Sequence, residues 1–216
     1  MKPLQEKEIR KALARISPLR FSRECFHRNV SARGYTEFRV DPLDADHSRI
    51  VGNRYNFAGA FPVLYLAHHA TLATLEAEKD YIRLGLPFDE ACRINVPLRI
   101  SGPFLDLTSS SNRRLLGVTP KMLTLPTVTW KAIQASGQEA PTQTLGRLVF
   151  ESKRFGGIYF PSVESARLED LLTHPNNLAV FMKKRKPSQP LHLEVRLELP
   201  DPQDFLKTLA KKFLGP

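Results

Sequence analysis

The sequence predicts an α+β domain with mostly antiparallel strand pairing. Three observations carry this. Short apolar stretches with strand character recur along the chain, helical periodicities separate only some of them, and the strands and helices do not alternate regularly as a parallel βαβ sheet requires. The 216 residues suit one domain, 1–216, with terminal helices at 2–16 and 201–213.

The elements follow in order. "MKPLQEKEIRKALARIS" places Leu4, Ile9, Leu13 and Ile16 at helical spacing, and Pro18 stops it. This N-terminus has no apolar core of a signal peptide. "RECFHRNV" alternates Cys25 and His27 against Phe26 and Arg28, as a strand does. Residues 31–60 are polar and rich in Gly, Pro and Asp, so they predict a long loop of the kind that carries function. "PVLYLA" reads as a strand and "HATLATLEAEKDYIRLG" as a helix ended by Gly85. "ACRINVPLRI" predicts a strand with an edge or bulge at Pro97. Residues 101–125 look irregular and lid-like. Helices follow at "TVTWKAIQASG" and at "TQTLGRLVFESKRFGG", the latter capped near Thr142. Strands at "GIYFPS", "NLAVFMK" and "LHLEVRLEL" precede a last helix opening at Asp201–Pro202.

Composition excludes several classes. No apolar run reaches the roughly 18–20 residues of a membrane span. Two cysteines, Cys25 and Cys92, make no disulfide framework, and a reduced cytoplasmic setting is the default. The formal charge is +10, a field that favours polyanions, acidic partners or phosphorylated small molecules. The run "KKRKP", Lys183–Pro187, reads as a solvated turn, with nucleic-acid contact as its alternative. P-loop, Rossmann, zinc-protease and serine-hydrolase signatures are missing. His68 and His69 are adjacent and point apart, so no metal site is expected.

The chemistry concentrates in "GNRYNFAGAFPVLYLAHHATLATLE", Gly52–Glu76. Arg54 stands in a loop before a strand, where a guanidinium can grip a phosphate or lie on the surface. Tyr65 is mid-strand, either core or a ring face for a flat heterocycle. Glu76 follows Leu72 and Ala73 by four and three residues and so shares the apolar face of its helix, where a carboxylate needs a partner. Arg28 and Ser162, the latter after Pro161, complete the set: an anion grip, an aromatic platform, a carboxylate and a hydroxyl.

With "FHRNV", "TQTLGRLVF", "GGIYFPS" and "NNLAVF", this segment resembles the RES-domain family, named for an arginine, a glutamate and a serine, over residues 21–183. The family often has glycine where Asn53 stands, and Trp or Phe where Tyr55 stands, which bears on the pocket floor. The resemblance implies an ADP-ribosyltransferase-like fold and a site for NAD as substrate, without metal. It implies a bacterial toxin that depletes NAD by cleaving the nicotinamide–ribose bond, with water or phosphate as co-substrate. Mono-ADP-ribosyl transfer to a macromolecule is the neighbouring alternative, and a non-catalytic basic nucleic-acid-binding protein the alternative from another class. The implied partner is an Xre-like antitoxin that covers the active site, nucleic acid being met only through it. By this resemblance Glu76 stabilises ribosyl charge, Arg28 and Arg54 hold the diphosphate, Tyr65 orients the nicotinamide ribose, and Ser162 bonds nicotinamide or ribose.

Overall fold

The computed structural model describes residues 5–38, 40–83, 85, 87–89, 92–163, 175–182 and 194–197. The "KKRKP" run and the expected helix 201–213 lie outside the described residues. The strands are β1 (Leu19–Ser31), β2 (Val63–Ala67), β3 (Arg93–Asp106), β4 (Gly157–Pro161), β5 (Asn176–Phe181) and β6 (Glu194–Leu197). The helices are α1 (Glu6–Arg15), α2 (Ala32–Thr36), α3 (Asp46–Val51), α4 (Ala70–Arg83), α5 (Ser110–Leu116), α6 (Pro120–Leu123), α7 (Thr127–Ala135) and α8 (Pro141–Ser152).

The sheet order is β1-β2-β5-β4-β3-β6, and β1 also pairs with β3. Five strands therefore close into a barrel, with β6 added outside on β3. The sequence leads to mostly antiparallel mixed sheets flanked by helices and does not reach a closed barrel; the closure follows from the length of β1 and β3, which pair from Leu19↔Phe104 to Ser31↔Arg93. The β3–β4 pair is parallel and the others are antiparallel. A bulge falls between Phe21 and Glu24, with Arg23 at φ 58°, rather than at Pro97. Pro97 instead pairs with His27, one residue beyond the segment of β3 that β6 covers.

Strand alternation sorts the core. Phe26, Leu64, Leu66, Val96, Leu98, Tyr159, Leu178 and Val180 form a cluster drawing on all five barrel strands, which is the barrel interior. Val63, Ile158, Phe160, Ala179 and Phe181 face outward and pack with Leu13, Leu116, Leu123, Leu145 and Leu148 of the helices. Burying a Leu or Phe side chain contributes about 1.5–3 kcal/mol, so this outer layer is a second core.

Two loop expectations are corrected. Residues 31–60 contain α2 and α3, the first capped by Ser31, whose hydroxyl accepts the Gly34 N–H at 3.2 Å. Residues 101–125 are not a lid. β3 continues to Asp106, and α5 and α6 bury Leu116, Met122 and Leu123. Helix α8 starts at Pro141 with its cap at Ala140, close to the expected Thr142, and the Ala140 N–H donates to Gln143 Oε1 at 2.9 Å.

Candidate functional site

The site grows from a tight turn. Gly52 has φ 72°, a conformation glycine adopts without cost. Asn53 N–H donates to Asn56 O at 2.8 Å and Asn56 N–H returns to Asn53 O at 3.3 Å, leaving Arg54 and Tyr55 at the tip. The turn is held by buried polar side chains. Asn56 Nδ2 donates to the carbonyls of Ser48 (2.6 Å) and Phe61 (3.2 Å), and Gln143 Nε2 lies 3.0 Å from Asn53 O and 3.3 Å from Asn56 O. Helix α8 approaches so closely that a Cβ on Gly146 would meet the Tyr55 carbonyl oxygen at 1.9 Å. A side chain there has no room beside backbone.

Tyr55 points into the core with its ring edge-on to Phe160 at 4.7 Å, so it is not a pocket floor. Burial pushes its hydroxyl pKa up. Arg54 points the other way: Nη1 donates to the carbonyls of Leu123 (2.6 Å) and Leu125 (3.2 Å), fixing the guanidinium against the end of α6 and the linker that follows it. Tyr65, outward on β2, accepts the Tyr55 N–H at 2.9 Å and donates to Asn56 Oδ1 at 3.0 Å. Its hydroxyl is a strut of the turn, and burial raises its pKa far out of the physiological range.

Glu76 sits on α4, whose Leu72 and Ala73 pack on Ala67 of β2. Ser162, wholly buried just past β4, donates its hydroxyl to Glu76 Oε1 at 2.6 Å. Asn177 of β5 donates Nδ2 to the same oxygen at 2.8 Å. Two donors on one oxygen hold the carboxylate in one orientation. A second polar set ties α4 down: Asn95 Nδ2 donates to Thr74 Oγ1 at 2.9 Å and Asn29 Nδ2 to Asn95 Oδ1 at 3.0 Å.

Arg28 lies on the Phe26 side of β1, opposite His27. Its Nη1 donates to the carbonyls of Pro42 and, at 2.8 Å, Asp44. Burial lowers its pKa and Asp44 and Asp41 oppose the shift, but an arginine stays cationic. Arg28 is thus both a wall charge and an anchor for the 42–44 segment. His27 is held below its ordinary pKa by burial first, then by His69, His68 and Arg99.

Arg28, Arg54, Tyr65, Glu76 and Asn177 line one cavity of about 420 Å³, a size that fits a small organic ligand. All five residues expected from sequence therefore meet at or beside this cavity, Ser162 through its bond to Glu76. Sequence patterns alone do not mark Asn56, Gln143, His27 and Asn177 as site residues. The signal for Asn177 was an asparagine pair opening the buried strand "NNLAVF". Among the described residues no group of His, Cys, Asp and Glu is arranged to hold a metal.

Fold and site together define a class: a small mixed β-barrel with one cavity lined by fixed guanidinium groups and a clamped carboxylate. The RES domain family model matches residues 27–196, and the chain belongs to that family. A comparison with curated proteins finds no match. Among solved structures, the fold is similar to a chain of the M. tuberculosis MbcT–MbcA toxin–antitoxin complex. The TM-score is 0.57 at 17% identity, covering 93% of this chain and 96% of that one. No described helix is long and apolar enough to cross a membrane.

Proposed function

We propose that this protein cleaves the nicotinamide–ribose bond of NAD, acting as the toxin of a toxin–antitoxin pair. The observation that carries the reading is the Glu76 carboxylate, fixed by Ser162 and Asn177 on a cavity that also presents Arg54 and Arg28. The C–N bond pair leaves with the pyridinium nitrogen, which becomes neutral, so no strong acid is needed. Positive charge develops on the ribosyl carbon, as in glycoside cleavage. A preset carboxylate stabilises that charge without reorganising. Arg54 and Arg28 are the charges for the diphosphate, and the Tyr65 ring borders the reacting end. Water as acceptor gives ADP-ribose and a proton; phosphate gives the 1″-phosphate of ADP-ribose. The ADP-ribosyltransferase relationship of the fold, a single catalytic unit over 1–216, a cytoplasmic setting and an Xre-like antitoxin over the cavity belong to the same reading.

Transfer of ADP-ribose to a macromolecule is the second reading, since the same carboxylate serves any acceptor. The test is nicotinamide release from NAD by the purified protein, with and without phosphate, beside Glu76→Gln. Release by the wild type and loss in the variant, with NAD binding kept, is the expected result. Equal loss of binding and turnover would reduce Glu76 to a shaping role. Absence of release from wild-type protein would bring the transferase reading forward.

A further inference from the structure

A row of side chains beside Glu76 carries one more assignment. His27 of β1 is the register partner of Ala67 of β2, and Ala67 is the partner of Asn177 of β5. Paired residues put their side chains on one face, so a single methyl group separates an imidazole from a carboxamide. All three residues line the cavity.

The orientation of Asn177 is forced. Nδ2 donates to Glu76 Oε1, and an ionised carboxylate only accepts. Oδ1 is therefore an obligate acceptor that cannot be exchanged for a donor by flipping the amide. It is buried and has no partner among the described residues, and the same holds for Nδ1 of His27. Buried polar atoms are normally satisfied, so two unsatisfied ones in one row mark a place that a ligand group completes. Strands about 4.8 Å apart put the two outer backbones about 10 Å apart, room for one small planar group held from both sides. Neither atom has solvent-exposed surface, so that group enters with a side-chain adjustment of His27 or Asn177.

We infer that His27 and Asn177 form a subsite for an unsubstituted carboxamide on the leaving group, the amide N–H donating to Asn177 Oδ1 with His27 Nδ1 at the other end of the row. This rests on the NAD-cleaving reading and says which atoms of the leaving group are recognised. A carboxylate in the same place has no hydrogen to give and sets its lone pairs against Oδ1. The general charge of the cavity runs the other way: among the described residues five Lys or Arg and two Asp or Glu line it. Rejection of a carboxylate would therefore come from the row and not from the overall field.

The test compares NAD with its deamido counterpart, nicotinic acid adenine dinucleotide. The wild type is expected to favour NAD by about a hundredfold in kcat/KM. His27→Ala and Asn177→Leu are each expected to shrink that ratio toward one, whatever they do to the absolute rate. Calorimetric titration of wild-type protein with nicotinamide and with nicotinate reads the same preference without turnover. Equal rates on the two dinucleotides would overturn the subsite and leave NAD cleavage standing. A preference for nicotinamide over nicotinate without any cleavage would keep the subsite and remove the cleavage reading. Indifference between nicotinamide and nicotinate in binding overturns the subsite.

Discussion

Replacing Ser162 with alanine tests whether the carboxylate clamp is part of the chemistry. The hydroxyl is wholly buried and donates to Glu76 Oε1 at 2.6 Å, so no solvent water takes its place when it is removed. A hydrogen bond to a charged group contributes about 1.5–3 kcal/mol. Asn177 keeps its 2.8 Å bond on the same oxygen, which puts the loss at the lower end. About 1.5–2 kcal/mol corresponds to roughly 12- to 30-fold in rate. If the clamp presets the carboxylate for charge that develops only in the transition state, this loss falls on kcat and leaves KM nearly unchanged. The assay is steady-state nicotinamide release over a range of NAD concentrations, with thermal unfolding as the control for folding. A folded Ser162→Ala protein with kcat within twofold of wild type would refute the reasoning. So would a loss confined to KM.

Two further outcomes follow from the same geometry. Tyr65→Phe keeps the ring on the cavity but removes the strut between Tyr55 N–H and Asn56 Oδ1, leaving both without that partner. Thermal stability is expected to fall by about 1–3 kcal/mol; loss of turnover at unchanged stability would give the hydroxyl a direct chemical role instead. His27, whose folded pKa lies below its ordinary 6.5, binds a proton less readily folded than unfolded. Acidification through and below pH 6.5 therefore costs stability, a cost absent above that pH. Unfolding temperature against pH is expected to show a shallower acid decline for His27→Gln than for wild type, and parallel curves would contradict this.

Local patterns in the sequence identified the strand at Val63–Ala67, the helix carrying Glu76 and the position of Ser162 after an apolar strand. Alternation and helical spacing are properties of neighbouring residues, and they survive in the folded chain. The placing of a half-buried Glu76 on the helix face of Leu72 and Ala73 is legible for the same reason. Barrel closure was not, because it depends on which distant strand β1 meets, and β1 carries no mark that names β3. Residues 101–125 looked irregular because β3 runs on into two short helices whose apolar residues face α8 and α1, with too few turns for a period to show. The roles of Asn56, Gln143 and Asn177 were hidden by chemistry as much as by distance. A buried amide in a strand or helix resembles an exposed one until its acceptor is known, and the acceptor of Asn177 lies 101 residues earlier.

That separation has a consequence for synthesis. The clamp on Glu76 needs Ser162 and Asn177, 86 and 101 residues downstream, and both arrive with the last strands of the barrel. A nascent chain that has released α4 from the ribosome holds the carboxylate but not the groups that aim it. On the NAD-cleaving reading the growing polypeptide stays harmless until β5 has emerged and docked, so truncated products of interrupted translation carry no toxicity.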